Sequence, residues 1–221
     1  MREIVLDTET TGLSPKNGDR IVEIGCVELV NHLSTGEYYH EYVNPEREMP
    51  QKAQDVHGLS DSFLSDKPIF SDISSAFNEF IGTAPLIIHN AVFDLSFLNW
   101  ERGLIGHETI PIERTIDTLQ LAREKFPGSQ ASLDALCRRF QIDNSDRNFH
   151  GALKDAKLLA DVYLELIGGR QQRMELNTKK DTAIFEIKNE VFKKRPHEPS
   201  IEEGELHKKF LKKIKQPIWK L

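Results

Sequence analysis

The sequence feature that most restricts the fold is an apolar run that ends in two acids: Ile4, Val5 and Leu6 are followed by Asp7 and Glu9. An unbroken apolar run of this kind predicts a buried strand. Because alternate side chains of a strand project from the same face, Asp7 and Glu9 should lie side by side. Two such oxygen ligands suit a magnesium or manganese ion. The alternative is a pair of solvated acids at an exposed strand end.

A second apolar run also ends in polar side chains. Residues 85–88 predict another buried strand, which is followed by His89, Asn90 and then Asp94 at the start of a helix. The helix dipole favours an acid in the first turn, and this explains Asp94 completely when it is taken alone. The recurrence of an acid at a second strand end favours a shared site.

A third acid stands on the apolar side of a helix. The helix that starts after His150 is patterned by Ala152, Ala156 and Leu159, and Asp155 falls on that same side. A carboxylate on an apolar face is costly unless it is paired or bound to a metal. Asp155 is therefore a third candidate ligand, and His150 is close to it in the chain.

Together these residues form a set of acids with one histidine: Asp7, Glu9, Asp94, Asp155 and His150. Two divalent ions about 4 Å apart need such a set, with one acid bridging them and open positions for water and a phosphate. Histidine titrates near neutrality, so His150 can take the proton of an attacking water. The set predicts metal-dependent phosphodiester hydrolysis.

The charge of the chain is divided unevenly along its length. Residues 1–169 contain 15 Lys and Arg against 27 Asp and Glu, a net charge of −12, whereas residues 170–221 contain 14 against 8, a net charge of +6. A domain this acidic cannot hold a long duplex by bulk electrostatics. If it handles nucleic acid, it should hold a short stretch through metal ions or be delivered by a partner.

The remaining composition indicates a soluble globular protein. No run approaches the roughly 18 apolar residues of a membrane span, and the acidic start is not a signal peptide, so we expect a cytoplasmic protein. Cys26 and Cys137 each sit in an apolar pattern without a Cys or His at zinc-ligand spacing. Buried free thiols are therefore expected rather than a disulfide or a metal site.

The periodicity of the chain predicts a sheet flanked by helices. Strands at residues 20–30 and 38–43 follow the first strand through turns, which favours an antiparallel meander of three strands. Asp117 and Asp134 fall at predicted helix starts, where Asp is common, so a ligand role for either is left open. Helices are expected where apolar residues recur at helical spacing: 70–81, 95–102, 119–125, 133–140 and 152–167. A short helical piece is also expected within the loop of residues 45–60.

The basic C-terminal part differs from the rest. Residues 170–199 are mostly polar and charged and are expected to form a flexible linker. Ser200 to Glu203 form a capping-box pattern, and an apolar stripe that includes Leu206 and Phe210 follows. A helix with one apolar face over residues 200–221 predicts a docking element for another protein. The alternative is that this helix packs back on its own domain.

Three stretches of the chain carry a resemblance to a known family. They are Asp7-Thr8-Glu9-Thr10-Thr11-Gly12, His89-Asn90-Ala91-Val92-Phe93-Asp94 and His150-Gly151-Ala152-Leu153-Lys154-Asp155. They resemble the three exonuclease motifs of the DEDDh 3′→5′ exonucleases, and the likeness extends over residues 2 to about 169. It implies an α/β fold of the ribonuclease H-like kind, with a central mixed five-stranded sheet flanked by helices and a C-terminal tail.

The resemblance also implies the metal ligands and their roles. Asp7, Glu9 and Asp155 would hold one divalent cation, and Asp7 with Asp94 would hold a second. Either Mg²⁺ or Mn²⁺ would serve. His150 would act as the general base.

Substrate contacts are implied as well. Thr10 and Leu13 would contact the terminal nucleotide together with Asp7, Glu9 and Asp155, and His57 and Lys52 would line the same pocket. Lys52 departs from the family pattern, in which an acid is usual at this position.

The chain is similar in particular to the proofreading exonuclease subunits of bacterial replicative DNA polymerases. This implies a cytoplasmic bacterial enzyme that hydrolyses the 3′-terminal phosphodiester of DNA and releases nucleoside 5′-monophosphates. The implied partners are a single-stranded 3′ end of DNA, the polymerase catalytic (alpha) subunit through the tail at residues 200–221, and a sliding clamp. The clamp motif would be Gln171–Leu176, which has the form Gln-x-x-Met-x-Leu.

Two other functions are compatible with the same residues. A stand-alone exoribonuclease is disfavoured by the acidic domain, because ribonuclease T-like proteins need a basic platform, and by the long extension, because oligoribonucleases usually end soon after the last motif. A catalytically silent scaffold between polymerase and clamp is disfavoured by the intact acids, since clustered carboxylates destabilise a metal-free site without serving any purpose.

Overall fold

A five-stranded mixed sheet forms the centre of the computed structural model, which describes residues 1–145, 149–168 and 198–214. The strand order is β3-β2-β1-β4-β5, with β1, β2 and β3 antiparallel and β4 and β5 parallel to β1. This confirms the predicted mixed sheet and its antiparallel start. The strands are β1 Arg2–Thr10, β2 Ile21–Val30, β3 Leu33–Tyr42, β4 Leu86–Ile88 and β5 Thr115–Asp117.

Helices cover both faces of this sheet. The stretches predicted to be helical all contain a helix, and a four-residue helix in the loop before residue 70 is additional. These helices are α1 Gln51–His57, α2 Asp61–Leu64, α3 Phe70–Ile81, α4 Ala91–Leu104, α5 Thr118–Lys125, α6 Leu133–Phe140 and α7 Ala152–Ile167. A further helix, α8 Ile201–Leu211, belongs to the C-terminal part of the chain.

The side chains of β1 alternate between the two faces of the sheet and so contribute to two separate core layers. Ile4 and Leu6 pack with α3 and α4 on one face, where Phe77 is fully buried. Burial of one such aromatic side chain stabilises the fold by about 3 kcal/mol. Val5 points to the other face and packs with α5, α6 and α7, where Leu159 is buried. The odd-numbered side chains of β1 therefore face α7, and the even-numbered ones face α4.

Strand β3 begins earlier than the pattern predicted. We expected a strand at residues 38–43, and the structure has one at Leu33–Tyr42. Asn31 and His32 adopt positive φ angles of 52° and 67° and make the tight turn that pairs β3 with β2. The first residues of β3 are exposed, so backbone pairing forms this part of the strand without an apolar signal in the sequence.

The chain divides into two compact units, residues 1–174 and 175–221. In the second unit the predicted capping box is confirmed: the Ser200 hydroxyl accepts from the Glu203 N–H at 3.2 Å, and the Glu203 carboxylate accepts from the Ser200 N–H at 2.8 Å. The predicted linker up to residue 197 and the hexapeptide Gln171–Leu176 lie outside the described residues, as does the end of the tail after residue 214. Within the described ranges, every helix is too short or too polar to cross a membrane.

Candidate active site

Asp7 and Glu9 emerge side by side at the carboxyl end of β1, as predicted. Both project from the face that α7 covers, because Val5, two residues earlier, packs against that helix. In the pairing with β2, Asp7 is opposite Gly25 and Glu9 is opposite Glu23. The register irregularity directly after Glu9 ends the regular pairing at this point.

Gly25 sets how closely α7 approaches these acids. A Cβ atom built on Gly25 would lie 2.2 Å from the Leu153 backbone nitrogen and 2.3 Å from the Ala152 carbonyl carbon. Real Cβ atoms do not come so close, so only glycine permits this contact. The start of α7 therefore rests on the sheet beside Asp7, the register partner of Gly25.

This contact places the motif at residues 150–155 next to the motif at residues 7–12. One ligand atom from each of Glu9, His150 and Asp155 lies within 4.8 Å of the others. Asp155, in the first turn of α7, is only 3% exposed, and its Oδ2 is 3.4 Å from Nδ1 of His150. The burial of Asp155 confirms the prediction from its place on the apolar side of the helix.

Asp94 reaches the same region from the opposite face of the sheet. It lies in the first turn of α4, is 2% exposed, and its Oδ1 accepts from the Thr8 hydroxyl at 2.7 Å and the Thr8 N–H at 3.1 Å. Burial raises the pKa of Asp94 from its ordinary 3.8 to about 7, although the hydrogen bonds from Thr8 act in the opposite direction. Without a cation, this carboxylate is costly to ionise.

A pocket of about 550 Å³ contains the predicted metal ligands of β1 and α7. Asp94 is joined to the pocket wall through Thr8. The pocket is lined by Asp7, Thr8, Glu9, His89, Asn90, Leu119, Arg123, Ser129, Ala131, Ser132, Leu133, Asp134, His150 and Asp155.

His57 lies next to His150 of this centre. It is the last residue of α1, and its ring is buried beside the Thr10 carbonyl and His150. Its Nδ1 accepts from the Leu59 N–H at 3.1 Å, and burial lowers the pKa of His57, so the ring is neutral at neutral pH. The Val56 carbonyl accepts from the His150 N–H at 3.1 Å and fixes α1 against the third motif.

Of the other predicted substrate residues, two are at the surface and one is buried. Leu13 is 84% exposed in the turn after β1, and Lys52 is exposed on α1. Thr10 is buried, and its hydroxyl donates to the Gly12 carbonyl at 2.6 Å.

The structure assigns the remaining acids and adds residues that the sequence did not single out. Asp117 caps α5 by accepting from the Leu119 N–H at 2.9 Å, and it also accepts from the Asn90 N–H at 3.0 Å, which is a structural role. Asp134 lines the pocket. Thr8 and Arg123 were missed: nothing in the sequence marks Thr8 as the partner of a residue 86 positions away.

The residues present fit a site for divalent cations. They supply hard carboxylate oxygens, which Mg²⁺ and Mn²⁺ prefer, and a neighbouring imidazole. Asp94 adds a buried carboxylate, whose ionised form a bound cation would stabilise.

Comparison with known proteins agrees with this geometry. The RNase_T family model, described as an exonuclease, matches residues 4–163. The DNA polymerase III subunit epsilon of Rickettsia conorii is 51% identical over 222 residues, which cover 97% of this chain and 96% of that protein. The same subunit of Escherichia coli is 48% identical over 177 residues, which cover 76% of this chain and 72% of that protein.

Solved structures share the fold. Exonuclease X in complex with 5′-overhanging duplex DNA aligns with a TM-score of 0.59 and 26% identity over 74% of this chain and 90% of that one. The nuclease domain of 3′hExo, a DEDDh family member bound to rAMP, aligns with a TM-score of 0.66 and 21% identity over 75% of this chain and 91% of that one. The chain therefore belongs to the DEDDh 3′→5′ exonucleases, a family of metal-dependent nucleases, in the group formed by the bacterial DNA polymerase III epsilon subunits.

Proposed function

We propose that this proofreading 3′→5′ exonuclease hydrolyses the 3′-terminal phosphodiester of DNA with two divalent cations, Mg²⁺ or Mn²⁺, and releases nucleoside 5′-monophosphates. The observation that carries the proposal is the convergence of Glu9, His150 and Asp155 in one pocket with Asp7. We assign Asp7, Glu9 and Asp155 to one cation and Asp7 with Asp94 to the other.

When bound, the two cations would lower the pKa of the attacking water and neutralise charge on the leaving oxygen. The protein's own part is to hold the ligands rigidly, and buried Asp94 and Asp155 are suited to this because their surroundings leave them little freedom. Thr8 orients the Asp94 carboxylate with two hydrogen bonds. Carboxylates held in this way would keep the reacting groups in line.

His150 is assigned as the general base. Nδ1 of its ring lies 3.4 Å from Oδ2 of the Asp155 carboxylate. Nε2 is then the nitrogen that we assign to take the proton of the attacking water. The hydrogen bond from the His150 N–H to the Val56 carbonyl holds the backbone at this position.

The terminal nucleotide is assigned to the side of the pocket where β1 meets α1. Exposed Leu13 would pack against its base, and His57, with its buried neutral ring beside Thr10, would line its position. Lys52 is exposed on the same helix as His57, and its positive charge would attract the strand. These residues would complete the contacts that Asp7, Glu9 and Asp155 make through the cations.

The catalytic assignment is tested with Asp7→Ala. A 5′-labelled single-stranded DNA is incubated with Mg²⁺ and with Mn²⁺, and shortening is followed on a sequencing gel. Asp7→Ala should lose hydrolysis because both cations lose a ligand. Asp66→Ala, which removes an exposed acid away from the pocket, should keep wild-type activity. Wild-type activity in Asp7→Ala would refute the assignment.

We further propose that the protein works in the bacterial cytoplasm as part of the DNA polymerase III assembly, as the names of its relatives suggest. Helix α8 would be the docking element for the polymerase catalytic subunit, since Leu206 and Phe210 are both exposed on it. The hexapeptide Gln171–Leu176 would contact the sliding clamp. A chain that ends at residue 199 should lose co-purification with the catalytic subunit and keep exonuclease activity; retained co-purification would refute the docking role.

A further inference from the structure

A second cavity adjoins the 550 Å³ pocket that contains Asp7, Glu9 and Asp155, which we call the metal pocket, and His57 lines neither of the two. It has a volume of about 540 Å³, and Ser129 lines both this cavity and the metal pocket. The second cavity is lined by Ser129, Gln130, Ala135, Arg138 and Arg139. We call these residues the α6 groove.

The α6 groove runs along one face of helix α6. Ala135, Arg138 and Arg139 are spaced three and four residues apart, so they share a face of the helix. The helix starts after Ser132, which lines the metal pocket, and Arg139 lies about 10 Å further along the helix axis. The groove therefore leads away from the metal pocket.

The charge of the α6 groove is opposite to that of the metal pocket. The metal pocket is lined by four carboxylates, whereas the described lining of the groove contains two arginines and no acid. Both arginines are exposed, and within residues 1–145 and 149–168 neither forms an ion pair. In a domain with a net charge of −12, two adjacent cations at the rim of an acidic pocket favour a polyanion.

Two further contacts shape this basic surface. The Arg139 guanidinium lies over the Phe126 ring at 4.3 Å from its centroid, which orients the side chain. Arg123, on α5, lines the metal pocket and adds a third cation on the neighbouring helix. The helix dipole alone would account for cations in the last turn of α6, but it explains neither the cavity nor the position of Arg123.

We propose that the α6 groove binds the DNA strand upstream of the terminal nucleotide, with Arg123, Arg138 and Arg139 holding non-scissile phosphates. The inference rests on the proposed function, since it needs the 3′ end in the metal pocket. The terminal nucleotide occupies the side of His57, and the strand leaves past Ser129 along α6. Through the arginines of the groove, an acidic domain would bind single-stranded DNA without relying on metal ions.

The test compares Arg138→Gln/Arg139→Gln with wild type on a 12-nucleotide and a 3-nucleotide single-stranded DNA, at salt concentrations from 50 to 200 mM with Mg²⁺. Each phosphate contact contributes about 0.7 to the slope of log affinity against log salt for single strands. Loss of two phosphate contacts should reduce the slope of log KM against log salt concentration for the 12-mer by about 1.4. Over this fourfold range of salt, the wild-type KM should therefore rise about sevenfold more than that of the variant.

The variant should also show a raised KM for the 12-mer at low salt, an unchanged kcat, and an unchanged KM for the 3-mer. Lys67→Gln/Lys157→Gln is the matched control, because it removes two cations that line neither cavity and contact surface aromatics. If wild type and the arginine variant have equal KM values for the 12-mer, or if the KM of the variant rises equally for both lengths, the proposed role of the groove is refuted. The exonuclease assignment would stand in either case. Absence of metal-dependent shortening by the wild type would overturn the proposed function and the groove together.

Discussion

Replacement of Asp94 by Asn should stabilise the metal-free protein at neutral to alkaline pH although it destroys the enzyme. The Asp94 carboxyl is buried, and burial raises its pKa from 3.8 to about 7. A raised pKa means that the folded state binds a proton more tightly than the unfolded state does. The free energy of unfolding therefore falls as pH rises between these two values. Asn has the same shape, can still accept from Thr8, and carries no charge at any pH.

The size of the effect follows from the same two values. At about 1.36 kcal/mol per pH unit, ionised Asp94 costs the metal-free fold at most on the order of 4 kcal/mol. About 3 kcal/mol of this loss in the free energy of unfolding should occur between pH 5 and pH 8. Over that range the stability of wild type should decline relative to that of Asp94→Asn, and the variant should be the more stable protein at pH 8.

The assay is urea unfolding in chelator at pH 5, 6, 7 and 8 for wild type, Asp94→Asn and the exposed-site control Asp66→Asn. Addition of Mn²⁺ at about 100 times its Kd should then raise the stability of wild type by about 2.7 kcal/mol. It should raise that of Asp94→Asn far less, because a ligand is missing. If Asp94→Asn is less stable than wild type at pH 8 in chelator, or if the two proteins show the same pH dependence, the cost assigned to buried Asp94 is wrong.

Three further predictions concern residues around the site. Gly25→Ala should destabilise the fold by about 3 kcal/mol and lower activity, because the alanine Cβ cannot fit against the backbone of α7. Urea unfolding measures this, and wild-type stability of the variant would contradict the close contact. His150→Gln should lower kcat by about 10² to 10⁴ with little change in KM, and an unchanged single-turnover rate would remove the general-base role. Cys26 and Cys137 are buried, and burial raises the pKa of Cys26. Neither thiol should therefore react with a thiol reagent until urea unfolds the chain, and rapid reaction in the native state would contradict their burial.

Much of the fold follows from sequence patterns that have a single physical meaning. The apolar run before Asp7 specifies a buried strand, and the stripe from Phe70 to Ile81 specifies a helix whose bounds the structure confirms. The side of α7 on which Asp155 lies could be predicted because helical spacing fixes the face that a residue shares. Family membership could be predicted because the stretches around Asp7, Asp94 and Asp155 resemble the three exonuclease motifs of the DEDDh family.

The contacts between distant elements could not be predicted in this way. The bond of Thr8 to Asp94 depends on the parallel register of β1 and β4, in which Ile4 pairs with Leu86. No local pattern encodes that register. The start of β3 was missed for a related reason: its first residues are exposed, so the strand is formed by backbone pairing rather than by side-chain burial.

The role of Gly25 was also invisible in the sequence. A glycine within a strand indicates a bulge, a bend or a close approach, and only the packing of α7 distinguishes among them. The structure shows a close approach of backbone to backbone, which sets the distance between the first and third motifs. The α6 groove needed the structure as well, because its parts come from the end of one loop and one face of a short helix.

The most direct test of the catalytic proposal is hydrolysis by the wild-type chain of a 5′-labelled single-stranded DNA, with Mg²⁺, with Mn²⁺ and with chelator, beside an RNA of the same sequence. We predict stepwise 3′→5′ shortening of the DNA, release of deoxynucleoside 5′-monophosphates, complete loss of activity in chelator and slower action on RNA. Preference for RNA would instead indicate an exoribonuclease. No metal-dependent shortening of either strand would contradict the catalytic proposal and favour a scaffold that has kept the fold without the chemistry.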